Sequence, residues 1–416
     1  MITKLKIENF RSIESAEIDL GRINVLTGSN NSGKSSFIYA LLGMKNFISN
    51  PNQSLDSFFN FPNLINLGSF QEVVFGKNKD KNIVLSVTLN NWLLENNDVV
   101  EYKIELNPSK SSLRLISESY NLDINLDITL PYTGGKSTKV IVEEAEVTGE
   151  PDSMLNYHTI NFSWTGLFGV FESSDLPSKI ENTYREQLAS ILNLPQNTLV
   201  RIDNLPLRRQ FLKPFYSNIS LQPDIMTEDE IATKIAIDSD LEENISHYLE
   251  KIIGKRFKVN KQLGTSVFRL ETFDKKTRFN NDVVNDGLGT NQIIFILFKA
   301  LQKDKSFICI DEPEIHLHPS IISKLVDALV EIAYEENKQF LISTHNEHLM
   351  SCLLASVADK KMQAEDLKVY YLTKNGKKTE VESQEVNEHG QISGGLKNFY
   401  EAELENLAKL FNIVEP

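Results

Sequence analysis

GSNNSGKSS, from Gly28 to Ser36, fits the pattern G-x-x-x-x-G-K-[ST], and its surroundings give that pattern meaning. Before it, Ile23 to Leu26 read as a short buried strand. After it, Phe37, Ile38, Leu41 and Leu42 recur at helical spacing until the polar stretch from Asn50 to Gln53, which Pro51 interrupts. A strand, a glycine-rich turn and a helix in that order make a cradle for phosphate. Gly28 and Gly33 let backbone N–H groups curl around phosphate oxygens, and the helix N-terminus adds its partial positive charge. Lys34 neutralises β- and γ-phosphates, and Ser35 is a magnesium ligand. The whole stretch Gly28, Ser29, Asn30, Asn31, Ser32, Gly33, Lys34, Ser35 and Ser36 is therefore the expected nucleotide-binding segment, with ATP and Mg2+ as its ligands.

Two later stretches repeat the strand-then-polar transition. FICIDEPEIHLHPS, from Phe307 to Ser320, is an apolar strand ending in Asp311 and Glu312. Asp311 is expected to hold magnesium through water and Glu312 to orient and polarise an attacking water, because phosphoryl transfer asks the protein mainly for positioning and charge stabilisation. LISTHNEHLM, from Leu341 to Met350, places His345 at the C-terminal edge of a strand, where open α/β sheets bind ligands, within hydrogen-bonding reach of a γ-phosphate. A zinc reading of Glu314, His316, His318, His345 and His348 is set aside, since the stretch already has a role in nucleotide chemistry.

Around these motifs the chain alternates strand, helix 319–333 and strand 339–344, which indicates a parallel sheet flanked by helices. Between the phosphate loop and this part lies a region of two-residue periodicity, clearest at Leu122, Ile124, Leu126, Ile128 and Leu130, with strand-like runs at 83–89 and 139–147. A helical region follows, with Ile180, Tyr184, Leu188, Ile191 and Leu192 on one face, then Leu241, Ile245, Leu249 and Ile252 before Gly254. Thr227 and Glu230 have capping-box spacing. A hairpin is expected at Asn375-Gly376 and a last amphipathic helix through Phe399, Leu404, Leu407 and Leu410. The expected division is 1–48 and 281–360 as two parts of the nucleotide-binding core, 64–170 as an antiparallel β subdomain, 175–280 as a helical insertion and 365–416 as a tail.

Composition sets bounds on this reading. The 416 residues, 41% of them hydrophobic, are ample for a sizeable core. No apolar run reaches the roughly 18 residues of a membrane span, and MITKLKIENF carries no signal-peptide core, so a cytoplasmic protein away from membranes is expected. The formal charge of -14, from 43 basic and 57 acidic residues, disfavours a surface coated for non-specific nucleic-acid binding. Arg208, Arg209 and Lys213, and Lys255, Arg256 and Lys258, form basic clusters without aromatic interleaving and read as solvated faces.

The order of FRSI (10–13), GSNNSGKSS, a long insertion, IDEPEIHLHPS and ISTHNEH resembles the ABC-type ATPase heads of SMC, RecF and overcoming-lysogenization-defect proteins. More narrowly it is similar to a bacterial group of AAA-family ATP-binding proteins sharing segments like NLGSFQEVVFG, DVVNDGLGTNQIIFIL and EHGQISGGLKNFY. The resemblance implies an α/β fold: a P-loop ABC-type head with a mixed sheet flanked by helices, an antiparallel β subdomain and a helical insertion. It implies an ATPase that closes as a homodimer or higher oligomer and acts as a switch in DNA maintenance or anti-phage defence, with DNA and a separately encoded effector as partners. It puts DGLGTNQ, from Asp286 to Gln292, at the signature loop, with Gly287 and Gly289 meeting nucleotide across the dimer. Gly287 stands where many relatives have serine. Arg11 is implied near the nucleotide and Gln71 as a magnesium-sensing glutamine, each with an ordinary surface role as its alternative. A slow ATP-dependent sensor or scaffold is the second functional class, and a transporter ATPase subunit the third.

Overall fold

The computed structural model describes residues 1–91, 98–118, 122–134, 136–143, 157–166, 169–172 and 181–392. Contacts divide the chain into two units. One is built from Met1–Leu20, Ser35–Ile202 and Lys374–Glu380, the other from Gly21–Lys34, Asp203–Thr373 and the described part of Val381–Pro416.

The first unit holds a six-stranded sheet in the order Ile13–Asp19, Ile2–Phe10, Ile83–Asn91, Asp98–Leu106, Ser111–Ser117, Leu122–Ile128, antiparallel throughout. Its last strand alternates without exception, with Leu122, Ile124, Leu126 and Ile128 buried and Asp123, Asn125 and Asp127 exposed, as one covered and one solvated face requires. A second antiparallel sheet joins Lys136–Glu143, Tyr157–Trp164 and Gly169–Glu172. The helix Lys34–Ser49 buries Phe37, Leu41, Met44 and Phe47, and Phe47 stacks on Trp164 at 5.7 Å. In the helix Glu181–Leu199, the expected face buries Leu188, Ile191 and Leu192, while Ile180 lies outside the described residues.

A further six-stranded sheet runs in the order Ile202–Asn204, Phe307–Asp311, Gln339–Ser343, Ile23–Thr27, Leu367–Asn375, Lys378–Gln384. The pairs among 307–311, 339–343, 23–27 and 367–375 are parallel, and the last two strands turn at Gly376, with φ +59°, where the hairpin is expected. The helix Leu288–Leu301 is apolar on all sides and is buried from Asn291 to Leu301. Such a helix is stable only inside a core, and it packs between helices Ser239–Ile253 and Pro319–Glu335. Ser239–Ile253 buries the expected Leu241, Ile245, Leu249 and Ile252 and ends at Gly254 in left-handed conformation. Thr227 and Glu230 form both hydrogen bonds of the capping box.

The region expected to be a helical insertion also contains an antiparallel sheet of Tyr216–Ser217, Lys255–Lys261, Val267–Asp274 and Phe279–Asp282. Its signal is the alternation of Phe257 with Val259 and of Phe268 with Leu270, all buried between polar neighbours. The last expected helix, through Phe399 and Leu410, lies outside the described residues. Among the described residues no helix is long and apolar enough to cross a membrane.

The buried helix carries one charge into the core. Lys299, 0% exposed, donates to Asp203 Oδ2 at 2.7 Å and to the Ile225 carbonyl. Asp203 also accepts from Gln302 at 3.4 Å. Breaking such a pair leaves an uncompensated buried charge, whereas replacing both partners by apolar groups is close to neutral. Lys299→Met is therefore expected to lower stability by about 3–5 kcal/mol in chemical denaturation, and Lys299→Met with Asp203→Leu to recover most of that loss.

Candidate functional site

The parallel ladder brings the three motifs to one sheet edge. Asp311 pairs with Ser343 and Ser343 with Leu26. Two further main-chain bonds extend the ladder past the strand ends, Glu312 N to Ser343 O at 2.8 Å and Thr344 N to Leu26 O at 3.0 Å. The phosphate loop, Glu312 and His345 thus leave adjacent strands at the same level.

The loop from Gly28 to Gly33 follows the buried strand Ile23–Thr27 and runs straight into the helix that starts at Lys34. Ser29, Asn30 and Asn31 are exposed, and Ser32 is buried. Gly28, at φ +136°, is dictated by space as well as by conformation, since a Cβ there would lie 2.1 Å from the Leu372 carbonyl oxygen. Asn31 and Gly33 also have positive φ, +66° and +107°. Lys34 Nζ donates to the carbonyls of Gly28 at 2.8 Å and Ser29 at 3.0 Å. Burial pushes its pKa down, opposed by the negative charges of Asp311, Glu312 and Glu314.

Glu312 leaves its strand at φ +50°, a backbone region that costs a non-glycine residue about 1–3 kcal/mol and persists only where the surroundings hold it. Its carboxylate lies 3.0 Å from His345 Nδ1, and both side chains are partly open to solvent, 30% and 53% exposed. Glu314, by contrast, is 7% exposed. Its Oε1 accepts from Thr344 Oγ1 at 2.6 Å, while Oε2 is buried with no hydrogen-bond partner. Thr344 Oγ1 in turn accepts from Asn346 N, and Asn346 caps the next helix through Leu349 N. Glu314 therefore braces the turn that carries His345.

The signature-like segment is tied to this loop within the same chain. The helix begins at Leu288 with Gly287 as its N-cap. A Cβ at Gly289 would lie 2.9 Å from the His316 carbonyl oxygen, so only glycine permits that approach, whereas a Cβ at Gly287 meets nothing within 4 Å. Gln292 Nε2 donates to Pro313 O at 3.3 Å. Asn291, fully buried, donates to the carbonyls of Val283, Asp286 and Gly287. Lys255 binds Asp286 at 2.6 Å and Arg256 binds Glu250 at 2.8 Å, while Lys213 binds Asp229 at 2.6 Å. Much of the charge in the basic clusters is thus paired within the fold.

In the first unit, Arg11 occupies the turn between strands Ile2–Phe10 and Ile13–Asp19 at φ +53°. Its guanidinium lies 5.1 Å from the ring of Tyr39, one helical turn beyond Ser35, and its N–H donates to Val73 O at 2.6 Å. Burial lowers its pKa. Val73 ends the four-residue helix that carries Gln71, which is exposed there. Arg11 thus joins the second turn of the helix after the phosphate loop, through Tyr39, to the short helix that carries Gln71, through Val73.

Magnesium prefers hard oxygen donors such as the Asp311 carboxylate, whose charge reaches Lys34 of the phosphate loop. Zinc finds no such site: among the described residues no cluster of three His, Cys, Asp or Glu is arranged to hold a metal. His318 caps the helix Pro319–Glu335 and His348 contacts the Pro319 carbonyl at 3.0 Å.

Sequence reading missed Arg209, Glu314 and Asn291 as parts of this site. Arg209 Nη1 donates to Glu312 O at 3.1 Å and Nη2 to Asp311 O. Its only signal in the sequence is a place in a charge cluster. Burial raises the Glu314 pKa above the ordinary carboxylate range, with the Thr344 hydrogen bond opposing. A raised carboxylate pKa contributes stability below the unfolded-state value that is lost as pH rises through the folded-state value. Glu314→Gln is expected to be more stable than the parent at pH 7, the advantage shrinking as pH falls toward about 4.3; thermal melts across that range check it.

Comparisons with known proteins bear on the family and the fold. A family model described as AAA ATPase domain matches residues 1–350. A Helicobacter pylori protein described as ATP/GTP phosphatase is 22% identical over 384 residues, covering 86% of this chain and 89% of that protein. An SMC head bound to the C-terminal winged-helix domain of ScpA has a TM-score of 0.52 at 14% identity, covering 92% of this chain and 98% of its own. An SMC head with an extended coiled coil from Pyrococcus furiosus covers 98% and 99% at 12% identity, with a TM-score of 0.47. The fold is that of an SMC-type head, and with the family model spanning most of its length the chain belongs to the AAA ATPase domain family and is an ATPase.

Proposed function

We propose that this ATPase works as a switch, in which two copies close head to head around ATP and hydrolysis releases them. The observation that carries the chemistry is the Glu312–His345 contact of 3.0 Å at the sheet edge that also holds the Lys34 loop. Lys34 and the backbone of the Gly28 loop bind the β- and γ-phosphates, and Ser35 and Asp311 hold magnesium, which supplies charge neutralisation there. Glu312 accepts the proton of the attacking water as its oxygen bonds to the γ-phosphorus and the bond to the β–γ bridging oxygen breaks. His345 Nδ1 lies 3.0 Å from the Glu312 carboxylate and steadies it, with the ring at the strand edge that faces the γ-phosphate in this reading. Arg11 and Gln71 are assigned to the nucleotide and the magnesium shell, Arg11 supported by its contact with Tyr39 on the helix that follows the loop and Gln71 by the main-chain bond from Arg11 to its short helix.

Head-to-head closure is supported by the SMC-type fold and by the DGLGTNQ segment opening a helix at Gly287. The resemblance to ATPases of DNA maintenance and anti-phage systems makes DNA or a separately encoded effector the thing gated. The ScpA-bound SMC head is a precedent for a protein partner. A slower sensor remains the second reading, favoured by Gly287, which lacks the hydroxyl that many relatives carry in the signature loop.

Turnover separates the roles. Glu312→Gln should lower kcat by about 10²–10⁴-fold while ATP still binds, His345→Ala should lower it less, and Lys34→Ala should lose ATP affinity. Phosphate release and nucleotide titration are the measurements. A Glu312→Gln protein that hydrolyses ATP at the parent rate would remove Glu312 from the chemistry.

A further inference from the structure

Arg209 lies outside any helix or strand, on the segment between Ile202–Asn204 and Tyr216–Ser217. Its planar guanidinium is used entirely on main-chain carbonyls. Nε donates to Pro206 O at 2.9 Å, Nη1 to Glu312 O at 3.1 Å and Nη2 to Asp311 O. The Pro206 bond fixes the guanidinium on its own segment, and the other two grip successive peptide groups at the strand end. Two residues on, Phe211 N donates to Asn291 Oδ1 at 3.0 Å, which fastens the same segment to the buried helix. Arg209 is thus held at both ends against the turn at which Glu312 adopts φ +50°.

An arginine among carboxylates ordinarily pairs with one of them through its fork. Here the charge sits close to Asp311, Glu312 and Glu314, whose fields oppose the lowering of its pKa by burial, while the fork points at backbone. The peptide groups that set the direction of the Asp311 and Glu312 side chains are clamped. A lysine offers no planar fork to span two carbonyls.

We propose that Arg209 is a positioning residue for hydrolysis, clamping the Asp311 and Glu312 carbonyls so that the Glu312 carboxylate stays aimed at His345 and the attacking water. The proposal rests on Glu312 acting as the base in the reading above. A base displaced by about 1 Å loses on the order of 10²-fold in rate, and the nucleotide, held by Lys34 and its loop, binds as before.

The test compares Arg209→Met, Arg209→Lys, Glu312→Gln and the double variant Arg209→Met with Glu312→Gln in the full chain, reading phosphate release and ATP affinity. Arg209→Met should lose about 10²-fold in kcat with ATP affinity nearly unchanged, and Arg209→Lys should recover only a small part of that loss. The double variant should be no slower than Glu312→Gln, because aiming an inert side chain has no effect. Guanidinium ion added to an Arg209→Ala protein should restore part of the rate, which keeps the test usable if the methionine variant fails to fold. Unchanged kcat, full recovery by lysine, parallel losses of affinity and melting temperature without guanidinium rescue, or a double variant much slower than Glu312→Gln each overturn the proposal. Parent-like turnover by Glu312→Gln itself is a different failure, that of the catalytic reading.

Discussion

The site depends on the register of three parallel strands. Because Asp311, Ser343 and Leu26 lie side by side and the ladder continues through Glu312 and Thr344, the backbone alone sets the phosphate loop, the acidic pair and His345 at one edge. Side chains from distant parts of the sequence meet there without any loop having to reach across the sheet. Strand C-termini in open α/β sheets are the usual place for ligands for this reason.

That edge concentrates charge, and the fold manages it with cations of different kinds. Lys34 is the one within the loop, folded onto the carbonyls of Gly28 and Ser29. Arg209 is the fixed one, fastened to Pro206 and to the strand end. Glu314 has one oxygen committed to Thr344 and the other buried without a hydrogen-bond partner, and burial raises its pKa. Three carboxylates within a few residues therefore have three environments, and only Glu312 combines partial exposure with a histidine contact. The close approaches around this edge are equally specific: Gly28 against Leu372 and Gly289 against His316 leave no room for a side chain.

Much of this was legible in the sequence. The strand, loop and helix around GSNNSGKSS, the strand ending at Asp311 and the helix ending at Gly254 all lie where periodicity and punctuation put them, because each is governed by local pattern. Arg209 and Glu314 were not legible, since what makes them part of the site is which carbonyl or hydroxyl the tertiary fold brings to them. The small antiparallel sheet after Gly254 was passed over because its alternation is short, with two buried positions at Phe257 and Val259 and three at Phe268, Leu270 and Thr272, the last of them polar. The Glu312–His345 contact lies between: sequence assigned each residue a role at the nucleotide, while their pairing needed the register of the sheet.

The central claim is that ATP binding drives closure of two copies and hydrolysis reverses it. Its most direct test is the solution mass of Glu312→Gln with ATP and magnesium, beside Lys34→Ala under the same conditions. The account predicts a dimer that forms for Glu312→Gln only when ATP is present and never for Lys34→Ala. A mass indifferent to nucleotide, in a protein that still binds ATP, would contradict it.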